Sequence, residues 1–115
     1  MSSLKYKHFD GYSIVELEGD FIGGDEINNL RDELKEFAKR ESGNNLIADL
    51  SNVTYLNSTA LGIFLSANAF FEKNKGKLLL CNANSYLKNI FSITKLDIIF
   101  EIFASSEDAI ASLNK

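Results

Sequence analysis

Two adjacent hydroxyl residues, Ser58 and Thr59, stand where a short apolar strand gives way to an amphipathic helix, in the stretch Asp49-Leu50-Ser51-Asn52-Val53-Thr54-Tyr55-Leu56-Asn57-Ser58-Thr59-Ala60-Leu61-Gly62. A hydroxyl at a helix start can do two kinds of work. Its oxygen can accept a hydrogen bond from a first-turn N–H and cap the helix. Alternatively it can carry a phosphate, which the free N–H groups and the helix dipole then stabilise. Asn57 can also serve as the cap, which would leave Ser58 free in the first turn. Ser58 is therefore the leading candidate for phosphorylation and Thr59 the weaker acceptor. A phosphate brings roughly −1.5 to −2 charges and strong acceptor oxygens. The helix end tolerates that charge, whereas a partner docked over it must desolvate it. Each 1.4 kcal/mol so lost is about tenfold in affinity.

Other chemistry-bearing residues assemble no catalytic set. Asp49 ends a strand, where α/β folds place functional groups, but an Asp there also forms a structural turn by accepting nearby backbone N–H groups. A receiver-type phosphoacceptor at Asp49 would need an acidic pair ending the first strand and a Lys ending the last. Neither is present, and Phe103 is followed by Ala104. Gly23-Gly24-Asp25 precedes a helix but lacks the spacing of either common nucleotide fingerprint, so it reads as a turn into a capped helix. His8 is the single histidine and Cys81 the single cysteine. No Ser/His/Asp or Cys/His arrangement follows from them, and no His lies at metal-ligand spacing from Cys81. Within Lys77-Leu78-Leu79-Leu80-Cys81 the thiol reads as a buried structural one. The carboxylates Glu33, Glu36, Glu41, Glu101, Glu107 and Asp108 are scattered and read as solvated surface. The expectation is a non-enzyme with no metal and no cofactor.

These residues need elements to hold them. Lys5–Phe9 and Tyr12–Glu18 read as strands joined at Asp10-Gly11, the strongest short hairpin signal, for which a type I′ turn needs positive φ at both positions. The pattern breaks from Gly19 to Gly24. Beyond it Ile27, Leu30, Leu34, Phe37 and Ala38 share one face of a helix, with Asp25 as N-cap, Gly43 as left-handed C-cap and Glu36 and Arg40 spaced to pair outside. Leu46–Leu50 is apolar without alternation, as in a central strand covered on both faces. Ala60, Ile63, Phe64, Ala67 and Phe71 form the stripe of a second helix, widened by Leu61 and Leu65. Lys77–Cys81 is a buried strand. Tyr86, Leu87, Ile90 and Phe91 mark a third helix, and Ile98–Phe103 reads as a last strand. Ser105-Ser106-Glu107-Asp108 is a capping box opening a C-terminal helix with Ala109, Ile110 and Leu113. Tyr55, Phe64, Phe70, Phe71, Phe91 and Phe103 fall at core-compatible spacings, with Phe70 off the main stripe. Strand and helix alternate after the hairpin, so the fold class is α/β. A mixed sheet is expected, with an antiparallel N-terminal hairpin, later strands mostly parallel, and about four helices.

One domain spanning residues 1–115 is expected, since no linker, repeat or low-complexity segment interrupts the chain and proline is absent. Hydrophobic residues make up 45% of it, enough for one core without disulfides. The net charge of −4, with scattered Lys and Arg, argues against nucleic acid or an anionic membrane as a direct partner. Met1-Ser2-Ser3-Leu4-Lys5 has no apolar signal core and no run approaches membrane-spanning length, so the expected location is cytoplasmic.

From Leu46 to Gly62 the chain resembles the STAS domains, and most closely the bacterial anti-sigma factor antagonists. Their pattern is a strand, Asp-Leu-Ser, a short apolar turn, and then Asp-Ser-Ser/Thr-Gly-Leu-Gly opening a helix. Here it reads Asp49-Leu50-Ser51 and Asn57-Ser58-Thr59-Ala60-Leu61-Gly62. Gly19, where the family ends its second strand, Gly76-Lys77-Leu78, and the Leu96–Phe100 region extend the likeness along the chain. The resemblance implies partner switching. The unmodified antagonist binds an anti-sigma factor that is also a serine kinase, and the sigma factor is released. The kinase then phosphorylates the antagonist, binding is lost, and a serine phosphatase restores it. The family's phosphoacceptor falls on Ser58, and its partner-binding surface on Asn57, Ser58, Thr59, Ala60, Leu61, Gly62 and Ile22. Two family carboxylates are replaced, by Asn57 just before the serine and by Ile22 in the loop after the second strand. The field around the acceptor is less negative for it. The alternative is a STAS-type protein-interaction module in another regulatory system, not phosphorylated.

Overall fold

The computed structural model describes residues 3–22, 24–41 and 44–114. The elements run β1 (Ser3–His8), β2 (Tyr12–Phe21), α1 (Gly24–Arg40), β3 (Asn45–Leu56), α2 (Ser58–Lys73), β4 (Leu78–Cys81), α3 (Ser85–Ile93), α4 (Leu96–Ile99), β5 (Ile102–Phe103) and α5 (Ser106–Leu113). The five strands form one sheet in the order β1-β2-β3-β4-β5. β1 and β2 pair antiparallel, and each later neighbour pairs parallel. The mixed α/β sheet with its N-terminal hairpin is thus as the sequence pattern indicates, with five helices in place of about four.

The apolar stripes account for the layers. Ile27, Leu30, Leu34, Phe37 and Ala38 are all buried on α1, and α2 buries Ala60, Leu61, Ile63, Phe64, Ala67 and Phe71. Both helices pack with Val15, Leu17, Leu46, Ala48 and Leu50 into the main core. Ile47, Leu79, Cys81 and Ala109 form a smaller core on the other face, with Ile110 and Leu113 of α5 packed against it. Alternate residues of β3 therefore point into different cores, and that is why Leu46–Leu50 shows no polar alternation. Leu65 does not widen the stripe; it is exposed. Phe70 is half-buried, with the Lys35 ammonium 5.3 Å from its ring centroid.

Several boundaries differ from the sequence reading, each for a local reason. Gly19 does not end β2. With φ of +98° it sits in a strand that continues to Phe21, beside two shifts in the β2–β3 register. In the hairpin only Gly11 has positive φ, +85°, so the I′ turn is not formed. Asp10 avoids the left-handed region, which costs a residue with a Cβ about 1–2 kcal/mol, and the Phe9 N–H closes the loop on the Tyr12 carbonyl at 2.9 Å. Asp25 lies inside the first turn of α1 as a dipole-favoured acid and is not its cap. Gly23 and the C-cap assigned to Gly43 lie outside the described residues. Glu36 and Arg40 make no ion pair among the described residues; Lys7–Glu16 at 3.6 Å and Arg31–Asp32 at 3.5 Å do, and such exposed pairs contribute little. The Ile98–Phe103 run is divided between α4 and a two-residue β5, with Ile98 and Ile99 exposed. At the far end of α2, a Cβ on Gly76 would collide with the Asn44 carbonyl oxygen, so that close approach of the β3 and β4 entry segments requires glycine.

Candidate functional site

β3 delivers the site. It is twelve residues long, not the short strand the sequence suggests, so Asp49 lies within it and ends nothing. Relative to β2, β3 carries an extra residue between the Glu16 and Glu18 pairings and another between those of Gly19 and Asp20. These are bulges, which bend a strand and increase its twist. One Asp49 carboxylate oxygen accepts the Ser51 N–H at 3.0 Å, the Ser51 hydroxyl at 2.8 Å and the Asn82 amide at 3.0 Å. The expected bonding to a nearby N–H is present as an Asx-type bond two residues on, set inside the strand at the first bulge of β3, and the same oxygen ties that bulge to the end of β4. Across the sheet Asp49 is also one of the charges that, after burial itself, push the Cys81 thiol up to about 12. The thiol stays protonated at neutral pH, as expected of a structural cysteine.

β3 ends at Leu56, and Asn57 adopts the extended conformation (φ −85°, ψ 175°) of an N-cap, its Oδ1 accepting the Ala60 N–H at 2.9 Å. Asn57 also donates through Nδ2 to the Ile22 carbonyl at 3.4 Å, and its backbone N–H reaches the Phe21 carbonyl at 3.4 Å. This resolves the two cap readings. Asn57 caps α2, and Ser58 is its first residue, exposed, with no hydrogen bond to its hydroxyl among the described residues. The Ala60 and Leu61 N–H groups are taken by Asn57. Those of Ser58 and Thr59 have no partner among the described residues and are placed to meet an anion. Asn57→Ala is expected to cost about 1 kcal/mol through loss of the cap, whereas Asn57→Asp keeps the acceptor and adds charge at the positive end of the dipole. Thermal melting of the two variants in opposite directions from wild type is the check.

Of the seven residues assigned to partner binding, Asn57 is the cap, and the other six divide in two. Ser58, Thr59, Gly62 and Ile22 are exposed, and Ile22 is held against the cap. Ala60 and Leu61 point into the core at 0% and 7% exposure and hold the helix down. Nothing lies within 4 Å of a Cβ built on Gly62, so a side chain there does not damage the fold. Gly62→Ala is expected to raise stability by about 0.5–1 kcal/mol, because glycine weakens a helix interior. A rise in melting temperature together with weaker partner binding would place Gly62 in the docking surface.

A further exposed feature was missed from sequence. Tyr55, expected in the core, is 40% exposed, and it stacks on Tyr86, 45% exposed, with ring centroids 5.9 Å apart. The Tyr86 phenol is raised, first by desolvation and then by its Tyr55 neighbour. The signal lay in the strand period: Leu56 pointing inward turns Tyr55 outward. An open cleft of about 500 Å³, lined by Glu72, Lys75, Lys77 and Glu101 among others, lies at the C-terminal end of α2, away from Ser58. Among the described residues no cluster of three or more His, Cys, Asp or Glu could hold a metal ion, and no helix is long and apolar enough to cross a membrane.

The STAS domain family model matches residues 3–109, and the chain belongs to that family. It is 37% identical over 81 residues to the anti-sigma-B factor antagonist of Bacillus subtilis, across 70% of this chain and 72% of that protein. An anti-sigma factor antagonist from Mycobacterium paratuberculosis shares the fold with a TM-score of 0.87 at 21% identity, over 100% of this chain and 96% of that one. The anti-sigma factor antagonist SpoIIAA in its unphosphorylated form gives 0.72 at 14% identity, over 97% and 98% of the two chains. The Bacillus cell fate determinant SpoIIAA in its phosphorylated form gives 0.74 at 15%, over 96% and 99%.

Proposed function

We propose that this chain is an anti-sigma factor antagonist whose docking is switched by phosphorylation of Ser58. The observation that carries the reading is the Ser58 hydroxyl, exposed and without a hydrogen bond among the described residues at the first position of α2, where Asn57 has taken the capping role. The names of its relatives, and a fold shared with a protein solved in both phosphorylated and unphosphorylated forms, support it. Unmodified, the surface around Ser58, Thr59, Gly62 and Ile22 binds an anti-sigma factor that is also a serine kinase, and the sigma factor is set free. The kinase then moves the γ-phosphoryl group of ATP onto Ser58 Oγ, leaving ADP and a proton. A serine phosphatase returns the hydroxyl by hydrolysis. No cofactor, nucleic acid or membrane takes part.

The energetics favour a switch without refolding. Within the chain, a dianion at the start of α2 meets free N–H groups and the positive end of the dipole. Across an interface the same dianion must be desolvated, which costs several kcal/mol unless the partner supplies a matching cation. Asn57 and Ile22 lower the negative charge beside the acceptor. The kinase that reads this site is therefore one that does not depend on flanking carboxylates. The test is intact-mass spectrometry with peptide mapping after incubation with ATP and the serine kinases of the chain's own source. One phosphate on Ser58, with loss of binding to the same kinase, is the expected result. No phosphate despite active kinases would assign the chain to STAS modules that bind without this control.

A further inference from the structure

We propose that Tyr55 and Tyr86 form a second anchor for the anti-sigma protein, extending the docking surface from the start of α2 onto the start of α3. The inference rests on the Ser58 reading above and adds to it where the binding energy resides.

α2 and α3 both follow parallel strands, β3 and β4, so both begin at the carboxyl end of the sheet. They begin alike. Asn84 caps α3 by accepting the Leu87 N–H at 2.8 Å, as Asn57 accepts that of Ala60 at 2.9 Å, and an exposed serine, Ser85 or Ser58, follows each cap. The Tyr55–Tyr86 stack joins the two starts. Tyr55 stands three residues before Ser58, so the ring pair is continuous with the switch along a single stretch of backbone.

The charge pattern marks the same surface. Charged residues are 24% of the chain, yet none occurs between Asp49 and Glu72, and none between Lys77 and Lys88. Those two stretches hold both helix starts, and charge enters only at their margins, with Asp20 paired to Tyr55 across the β2–β3 register and Lys88 in the first turn of α3. Depletion of charge with exposed tyrosine is the composition of an interface centre, and stacked, well-ordered aromatic side chains are the usual anchors there. Ile22, 51% exposed, bounds the surface on the α1 side. The occupant that fits is a protein presenting an uncharged, apolar contact. With Asp20 beside Tyr55 and a net charge of −4 on the chain, Lys88 gives little hold to a polyanion or an anionic lipid surface. A surface this sparse in charge also lets one phosphate on Ser58 dominate the local field, which ties the anchor to the switch.

The test measures affinity by calorimetry for the anti-sigma protein that binds the unphosphorylated wild-type chain, screened from those of its own source. Tyr86→Ala is expected to weaken binding about tenfold or more, and Tyr86→Phe to stay within about twofold, since the ring and not the hydroxyl makes the contact. Tyr86 is exposed, so melting temperatures should stay together. If Tyr86→Ala melts early, Ser85→Arg places bulk and charge on the same surface without removing the stack, and it too should weaken binding about tenfold. Wild-type affinity in Ser85→Arg or in a well-folded Tyr86→Ala overturns the anchor and leaves the Ser58 reading intact. Failure of every anti-sigma protein to bind wild type overturns both. A self-dimer seen by sedimentation that Tyr86→Ala dissolves, with anti-sigma affinity unchanged, overturns the assigned occupant.

Discussion

Ser58→Asp is expected to lower affinity for the anti-sigma partner about a hundredfold, with Ser58→Ala binding as tightly as the unphosphorylated wild type and refusing the switch. The two variants differ by one charge at a site where the fold itself welcomes an anion. Ser58 opens α2, and its hydroxyl has no bond among the described residues to lose. A carboxylate there gains about 0.3–1 kcal/mol from the dipole, so Ser58→Asp should melt at or slightly above the wild-type temperature. The loss appears only on docking, when the charge is removed from water against an uncharged surface. A penalty of about 2.7 kcal/mol corresponds to a hundredfold, within the range for a desolvated and unpaired ion. The phosphate, with roughly −1.5 to −2 charges, should cost more than Asp. Calorimetric titration of wild type, both variants and the phosphorylated chain gives the order directly. Equal affinities for wild type, Ala and Asp would remove Ser58 from the interface.

How much of this was legible in the sequence depends on the range of the interactions concerned. The α1 stripe is legible in full, because Ile27, Leu30, Leu34, Phe37 and Ala38 repeat at the helical period and each is buried. Ser105 was read as a cap and accepts the Asp108 N–H at 3.1 Å, a bond spanning three residues. The full length of β3 is hidden because its bulges interrupt the two-residue period, and Ser51-Asn52 reads as a connection unless the register with β2 and the Asn82 bond to Asp49 are known. Ile98–Phe103 was overextended because an apolar run has no period to choose between helix and strand. At the site, Ser58 was found by residue type and position, but the choice between Asn57 and Ser58 as cap depends on backbone angles and on Asn57 reaching Ile22 across 35 residues. The Tyr55–Tyr86 pair joins separate elements, and no local pattern announces such a partner.

Phe37→Ala is expected to be the most damaging single truncation of the fold, at about 4 kcal/mol. Phe37 is fully buried, and its ring is shared among three elements. It stacks on Tyr6 of β1 with centroids 5.9 Å apart and on Phe71 of α2 at 5.8 Å. Removing it strips apolar area from α1 and opens a cavity that neither neighbour can fill alone. Each is fixed in its own element, and close-packed interiors relax only partly. Tyr6 adds to the cost. Its phenol is pushed well above the ordinary tyrosine range by burial and then by the Glu33 carboxylate, and it would lose the ring it leans on. Against a total stability of about 5–15 kcal/mol, the loss should lower the melting temperature by roughly 15 °C. Phe37→Leu, which keeps most of the volume, should cost about 1–1.5 kcal/mol. The site should not notice. Phe71 is thirteen residues along α2 from Ser58, about 20 Å at the helical rise, so at low temperature the folded Phe37→Ala chain should bind the partner with wild-type affinity. Urea titration of both variants beside the binding assay separates the two effects. A melting temperature within a few degrees of wild type would mean that Tyr6 and Phe71 close the gap and that the ring stack is not what fastens β1, α1 and α2 together.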